Sequence, residues 1–287
     1  MSFGDWDDRL THRLVRPPFR DEKGRKGLLE RFAHAPPHRV EWRALTLPGW
    51  PRFARPLRIA FLSDFHVGSH TGDVERLAAI VAEASALSPD LALFGGDFVN
   101  MIPFGGGRVP PHVIARLLGA LNAPLGRLAV LGNHDRNYGP GEITEALRRE
   151  GVTMLDAAVP HPVAFDGGEI DVLGIHDARM DQPQSRKMLA ALTPQRPCLV
   201  LAHDPYWFTH LPAGPHLMLA GHTHGGQICL PLIGPLRNAS RAPMRWTHGL
   251  VEEDGKRMFV TSGIGCSGLP LRIGCPPEYL MLEVNGA

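Results

Sequence analysis

Residues 217–226 read Leu-Met-Leu-Ala-Gly-His-Thr-His-Gly-Gly, an apolar run that stops at two imidazoles set among glycines. Four consecutive apolar residues fit a strand buried on both faces, as in the parallel sheets of α/β proteins. Two histidines flanked by glycine at such a strand end serve no packing purpose. His222 and His224 stand two apart, and alternate side chains of an extended chain leave the same face. Both imidazoles are therefore expected to leave the same face of the strand end.

Four more apolar runs end the same way. Leu62 leads into Ser63-Asp64-Phe65-His66, and Phe94 into Gly95-Gly96-Asp97-Phe98-Val99-Asn100. Leu131 leads into Gly132-Asn133-His134-Asp135, and Ala202 into His203-Asp204-Pro205. Each cluster alone has an ordinary explanation. An Asp-x-His pair is commonly a surface pair, and Asn, Asp and Gly dominate turns. Five of them after strand-like runs are a different matter, because ligands in open α/β sheets bind beyond the carboxyl ends of the strands. Carboxylate, imidazole and amide oxygen are all ligands for first-row metals. The adjacent glycines permit tight turns and close backbone approach.

The surrounding pattern sets the fold class. Apolar runs recur at 58–62, 91–94, 128–131, 170–175, 198–202, 217–220, 258–261 and 279–284. Helical spacing marks 73–88, closed by Pro89, and also 113–121, 141–149 and 184–192. Strand and helix alternate early and strands accumulate late, which predicts an α/β protein of layered sheets. Residues 1–56 differ: they are rich in Pro and Arg, with a short helix expected around 27–34 and a strand around 40–47. The chain divides accordingly into a leader, 1–56, and a catalytic domain, 57–287.

Asp64-x-His66, Gly96-Asp97, Gly132-Asn133-His134-Asp135, His203 and Gly221-His222-x-His224 together resemble the signature of calcineurin-like metallophosphoesterases, in that family's order. The resemblance covers about residues 57–285. Gly225-Gly226-Gln227-Ile228 and the tail from Thr261 to Glu278 are similar to a small bacterial phosphodiesterase branch that includes UDP-diacylglucosamine pyrophosphatases. The resemblance implies two facing mixed β-sheets flanked by helices, with the site at one edge. It implies a first metal held by Asp64, His66 and His224, a second held by Asn133, His203 and His222, and Asp97 bridging them. Manganese is the metal expected, with iron or zinc as alternatives. His134 would act as general acid with Asp135 orienting its ring, and the nucleophile would be a hydroxide bridging the metals.

His70, Arg136 and Tyr138 lie within a few residues of these ligands and are expected to touch substrate, Arg because its planar donor fork suits phosphate. His176-Asp177 copies His203-Asp204 without a counterpart in the signature, so a structural role is expected there. Neither Arg272 nor His248 is assigned a function.

The reading that follows is a hydrolase of phosphodiester or pyrophosphate bonds in a small molecule or lipid-linked nucleotide. A protein phosphomonoesterase and a non-catalytic scaffold of the same fold are the alternatives. The scaffold predicts eroded ligands, and all seven ligand positions are present. The net charge of +1, with 44% hydrophobic and 21% charged residues, is that of a globular protein. Residues 1–60 hold 13 Lys and Arg against 7 Asp and Glu, a net of +6; the rest, 17 against 22, carry −5. That acidic balance gives nucleic acid little reason to bind. The basic leader either is simply solvated or associates peripherally with an anionic inner-membrane surface. Four cysteines without a CxxC pair argue against a zinc ribbon. With no apolar h-region in residues 1–20 and no membrane-spanning run, a cytoplasmic location is the default expectation.

Overall fold

Each central apolar run is a strand because it has two dry faces to fill. In 57–62, Leu57, Ile59 and Phe61 point into one core while Ala60 and Leu62 point into another. The computed structural model describes residues 34–101, 107–155, 159–175, 177 and 183–287. In chain order the elements are β1 (Arg39–Leu47), β2 (Leu57–Leu62), α1 (Asp73–Ala86), β3 (Leu91–Phe94), α2 (Pro111–Gly119) and β4 (Arg127–Ala129). They continue with α3 (Asn133–Tyr138), α4 (Pro140–Arg149), β5 (Thr153–Met154), β6 (His161–Phe165), β7 (Gly168–Ile175) and α5 (Pro183–Ala190). The remainder are β8 (Cys198–Ala202), β9 (His216–Ala220), β10 (Cys229–Leu230), β11 (Gly234–Pro235), β12 (Gly249–Glu253), β13 (Lys256–Val260) and β14 (Glu278–Gly286).

Two six-stranded mixed sheets result, in the orders β1-β14-β2-β3-β4-β5 and β12-β13-β9-β8-β7-β6. Within the first, β2 to β5 run parallel and β14 is antiparallel to β2. Within the second, β7, β8, β9 and β13 run parallel, with β6 and β12 antiparallel at the two edges. The sheets face each other across Ile59, Phe61, Leu93 and Leu128 on one side and Val172, Leu201, Leu219 and Phe259 on the other. Helices α1, α2 and α4 cover the outer face of the first sheet. Trp207, Phe208 and Leu189 pack on the outer face of the second. The layered architecture expected from the sequence is the one observed.

The expected strands and helices are found with ends shifted by a few residues. Beyond them, β6 and β12 were not marked by a continuous apolar run, since as edge strands each keeps a wet face and alternates. Part of the 1–56 segment is built into the sheet: β1 pairs in parallel with β14 from Arg39↔Glu278 to Leu47↔Gly286. The helix expected around 27–34 lies outside the described residues apart from its last position.

Two further residues of that segment, Trp50 and Phe53, enter the inter-sheet core, and the Trp50 indole N–H donates to the Pro215 carbonyl at 2.9 Å. Trp50→Ala should therefore cost about 3–5 kcal/mol in urea unfolding. An unchanged midpoint would show that residues 39–56 are not part of the folded unit.

Candidate metal centre

The central parallel strands of both sheets end at one shared edge, and the polar clusters emerge there. Strands β2, β3 and β4 lead to Asp64, Asp97 and Asn133, while β8 and β9 lead to His203 and the His222–His224 turn. Backbone bonds register the turns within each sheet: Asp64 N–H to Gly96 carbonyl at 3.0 Å, His66 N–H to Asp97 carbonyl at 2.8 Å, Gly221 N–H to His203 carbonyl at 3.0 Å. Others join the sheets. The His222 N–H donates to both Asp64 carboxylate oxygens, at 3.0 and 2.9 Å, and His203 Nδ1 donates to the Gly95 carbonyl at 2.8 Å. Two glycines make this approach sterically feasible. A Cβ on Gly221 would stand 2.2 Å from Asp64 Oδ2, and one on Gly132 would stand 2.1 Å from Asp97 Oδ1.

The backbone at these positions is not extended, which corrects the strand-end geometry expected for Asp64/His66 and His222/His224. Asp64 (φ 53°), His66 (φ 37°), Asp97 (φ 55°), His222 (φ 67°) and His224 (φ 53°) all lie in the left-handed region. Asp and His are enriched there among non-glycine residues, and such conformations persist only when surrounding bonds fix them. The side chains converge through tight turns rather than along a shared strand face.

What converges forms two groups, with a third, His66, Asp97 and His134, overlapping both. Asp64, His66 and His224 place donor atoms together, as do Asp97, His203 and His222. In the first, His66 Nε2 and His224 Nε2 are 3.2 Å apart and His224 Nε2 is 3.5 Å from Asp64 Oδ1. In the second, His203 Nε2 lies 3.1 Å from His222 Nδ1 and 3.2 Å from Asn133 Oδ1. Asp97 Oδ2 faces both, 3.4 Å from His66 Nε2 and 3.5 Å from His203 Nε2. All seven residues are buried, none more than 4% exposed.

Imidazole nitrogens facing one another in a dry pocket repel unless a positive charge lies between them. The site's electrostatics show that demand. Burial drives His66 down to about 3, with His134 adding to it, and drives His224 well below its ordinary value, helped by His66 and Arg272. Burial would lower His203 too, but Asp97 outweighs it and raises that imidazole to about 10. Burial likewise opposes ionisation of Asp97, yet the charges of His203 and His134 hold it well below the carboxylate range. Asp64 is pushed up to about 6, by burial first and by Asp97 as well. A divalent cation answers the same demand as the His203 proton. The donor set, carboxylate, imidazole and amide without thiolate, fits a catalytic metal rather than a structural zinc. The outward face of His222 is held as well: its Nε2 lies 3.3 Å from the Ala239 carbonyl, which leaves Nδ1 turned toward His203.

Around the ligand set, three expected roles change. Asp135 does not orient the His134 ring, whose Nδ1 is buried without a hydrogen-bond partner. Its carboxylate instead accepts three backbone N–H bonds, from Asp97 (2.7 Å), Phe98 (2.8 Å) and Gly132 (2.9 Å), tying the β3 turn to the start of α3. Burial, followed by the Asp97 charge, pushes Asp135 up to about 7. Tyr138 is buried in the helix-side core and is not placed to meet substrate. His70 is buried beside the Asp73 carboxylate that fastens the loop before α1, with its N–H donating to Asp73 at 2.8 Å. Arg136 alone of the three expected substrate contacts is half-exposed, on α3 two residues past His134. His134 keeps its place: its N–H donates to Asp97 Oδ1 at 2.8 Å and its ring stands edge-on to His66 at 4.6 Å. His176 lies outside the described residues, and Asp177 is buried.

Arg272, unassigned from sequence, is a clamp. Its buried guanidinium donates to the carbonyls of Ser262 (2.7 Å), Gly265 (2.6 Å) and His224 (3.2 Å), folding the loop after β13 over the ligand turn. The signal was a single arginine in a glycine-rich stretch whose carbonyls had no other obvious partner. His248 pairs at 2.8 Å with the buried Glu278, which also accepts from the Ser262 N–H at 3.0 Å.

The geometry around Asp135 yields a direct check. Asp135→Asn turns an NH₂ toward backbone donors and should cost roughly 1–3 kcal/mol in urea unfolding with chelator present. Unchanged stability would return Asp135 to a role on the His134 ring alone.

Comparison with known proteins agrees with this geometry. The sequence model of the calcineurin-like phosphoesterase family matches residues 57–226. Phosphodiesterase YaeI of Escherichia coli (strain K12) is 34% identical over 244 residues, 80% of this chain and 83% of that one. The uncharacterized metallophosphoesterase YkuE of Bacillus subtilis (strain 168) is 28% identical over 256 residues, 87% of each chain. UDP-2,3-diacylglucosamine pyrophosphatase LpxG of Chlamydia trachomatis is 26% identical over 284 residues, 79% of this chain and 83% of that one. The chain thus belongs to the calcineurin-like phosphoesterase family and is a metal-dependent phosphoric ester hydrolase.

Proposed function

We propose that the protein holds two divalent cations and hydrolyses a phosphodiester or pyrophosphate bond in a small molecule or lipid-linked nucleotide. The observation that carries the reading is the position of Asp97 Oδ2, between the His66 and His203 nitrogens and so between the two donor groups. Asp64, His66 and His224 would hold one ion, Asn133, His203 and His222 the other, and Asp97 both. Two such ions supply Lewis acidity for the phosphoryl oxygens and lower the pKa of water toward neutrality. Manganese is our first assignment, since a mixed oxygen and nitrogen set without thiolate suits it; iron and zinc share that preference in part.

The chain's own residues do the rest. His134 is fixed by its backbone bond to Asp97, and its ring lies against His66 with Nδ1 unpartnered, so it can present a proton to a leaving oxygen beside the cluster. Asp135 keeps the Asp97 and Asn133 turns in register and acts as a positioning residue. Arg272 does the same for the His224 turn. The diester or pyrophosphate class draws on the relatives, one named a phosphodiesterase and another a pyrophosphatase.

The test uses the purified full chain, stripped with chelator and reloaded with Mn²⁺, on a chromogenic diester, the matching monoester and UDP-diacylglucosamine. Metal-dependent cleavage of the diester or the pyrophosphate, ahead of the monoester, is expected. His134→Ala should lower turnover about 100- to 10,000-fold with metal content unchanged. Loss of both together would make His134 a ligand. Metal-loaded protein that cleaves none of the three substrates would sink the proposal.

A further inference from the structure

The ligand turn does not return directly to the core. After Gly226 the chain runs out into the β10–β11 hairpin, whose tip carries Leu232, fully exposed, and Ile233, 71% exposed. Leu236 at its base is exposed too. The loop after β13 lies alongside and exposes Leu269, Leu271 and Ile273. Hydrogen bonds join the two: Cys229 N–H to the Ile273 carbonyl at 2.7 Å, Ile273 N–H to the Gln227 carbonyl at 3.0 Å, and Gln227 Nε2 to the Leu269 carbonyl at 3.0 Å. Six aliphatic side chains thus form one exposed rim, which a soluble surface does not ordinarily carry.

Leu232 is held at φ 66°. A leucine in the left-handed region is strained where glycine or asparagine would not be. Neither folding nor solubility favours a fully exposed leucine at a position of that conformation.

The charge pattern says what the rim meets. Residues 205–251 and 255–277 contain no Asp or Glu, although residues 61–287 as a whole carry a net of −5. They hold Arg237 and Arg241, both exposed beside the hairpin. Aliphatic tips flanked by arginines and free of carboxylates match an anionic leaflet, where leucine enters the acyl boundary and arginine meets phosphate. A protein partner would more often be met by aromatic anchors, and the exposed large apolar side chains of these two loops are all Leu and Ile. A cavity of about 260 Å³ lined by Thr223, His224, Gln227, Arg237, Ser267 and Leu269 connects the rim to a candidate ligand.

We propose that this rim docks on an anionic bilayer and presents a lipid-borne phosphoester to the cavity beside His224. The docking stands on the rim itself; the identity of the ester rests on the function proposed above.

The test is co-sedimentation of the full chain with phosphatidylcholine vesicles containing about 30% phosphatidylglycerol. Binding is expected, and Leu232→Asn with Ile233→Gln, both at the hairpin tip and outside the cavity, should weaken it about tenfold or more. Asparagine relieves the backbone at 232, so the fold is spared. Cleavage of the soluble chromogenic diester should stay at the wild-type rate. Equal vesicle binding by wild type and double variant would overturn the proposal and place any attachment elsewhere. So would no wild-type binding at low salt. A concentration-dependent self-association that the double variant abolishes would overturn it too, making the rim an interface between copies. Vesicle binding by metal-loaded protein that cleaves neither the diester, the monoester nor UDP-diacylglucosamine would support the docking and overturn the proposed substrate class instead.

Discussion

The Asp64 carboxylate accepts the His222 backbone N–H with both oxygens, and much else depends on that bond. It joins the end of β2 in one sheet to the end of β9 in the other, at the edge where five polar clusters emerge. The His203 Nδ1 bond to the Gly95 carbonyl closes the same gap a few ångströms away. Two sheets packed through an apolar core can slide and twist relative to each other within the tolerance of side-chain packing. Directional bonds between buried polar groups cannot, because leaving either partner unsatisfied costs the full desolvation of that group. The apolar core brings the sheets together; these bonds decide how they are aligned.

That alignment explains why strained backbone is tolerated. Five of the seven candidate ligands sit at positive φ, each at a cost on the order of 1–3 kcal/mol. A chain would relax away from such turns unless they were over-determined, and they are. Asp64 and His66 are bonded through their N–H groups to the Gly96 and Asp97 carbonyls, and Asp135 accepts from Asp97, Phe98 and Gly132. Arg272 fixes the carbonyl of His224. The supporting side chains Asp135 and Arg272 are buried like the ligands, which is what a preorganised site requires. A ligand set held this way meets a cation in the arrangement it already has.

The sequence disclosed the parts with side-chain identity and concealed those without. Continuous apolar runs marked β2, β3, β8 and β9 because strands covered on both faces need no alternation. The ligands were legible because carboxylate and imidazole have no reason to end a buried strand. Edge strands β6 and β12 were missed because a half-wet strand of five residues is hard to tell from a loop. Ala239 and Gly95 take part through carbonyls, which every residue owns, so no letter announces them. Asp135 stands beside His134 in sequence, and that adjacency alone suggests a pair. The direction of a carboxylate at a helix start is not visible there.

The segment from Ala220 to Glu278 shows how support and access come to be coupled. It begins with two candidate ligands, leaves the core as an aliphatic hairpin, returns as β12 and β13, and then lays the Arg272 loop back over His224. Gln227 binds the loop at Ser267 and Leu269 within three residues of that ligand. Any contact that displaces the rim must therefore act on the turn carrying His224, because no slack chain lies between them. In a fold where the chemistry sits at fixed strand ends, specificity can vary most cheaply in such an excursion. Here the excursion is clamped to the site at both ends, so the exposed rim and the turn carrying His224 are one mechanical unit.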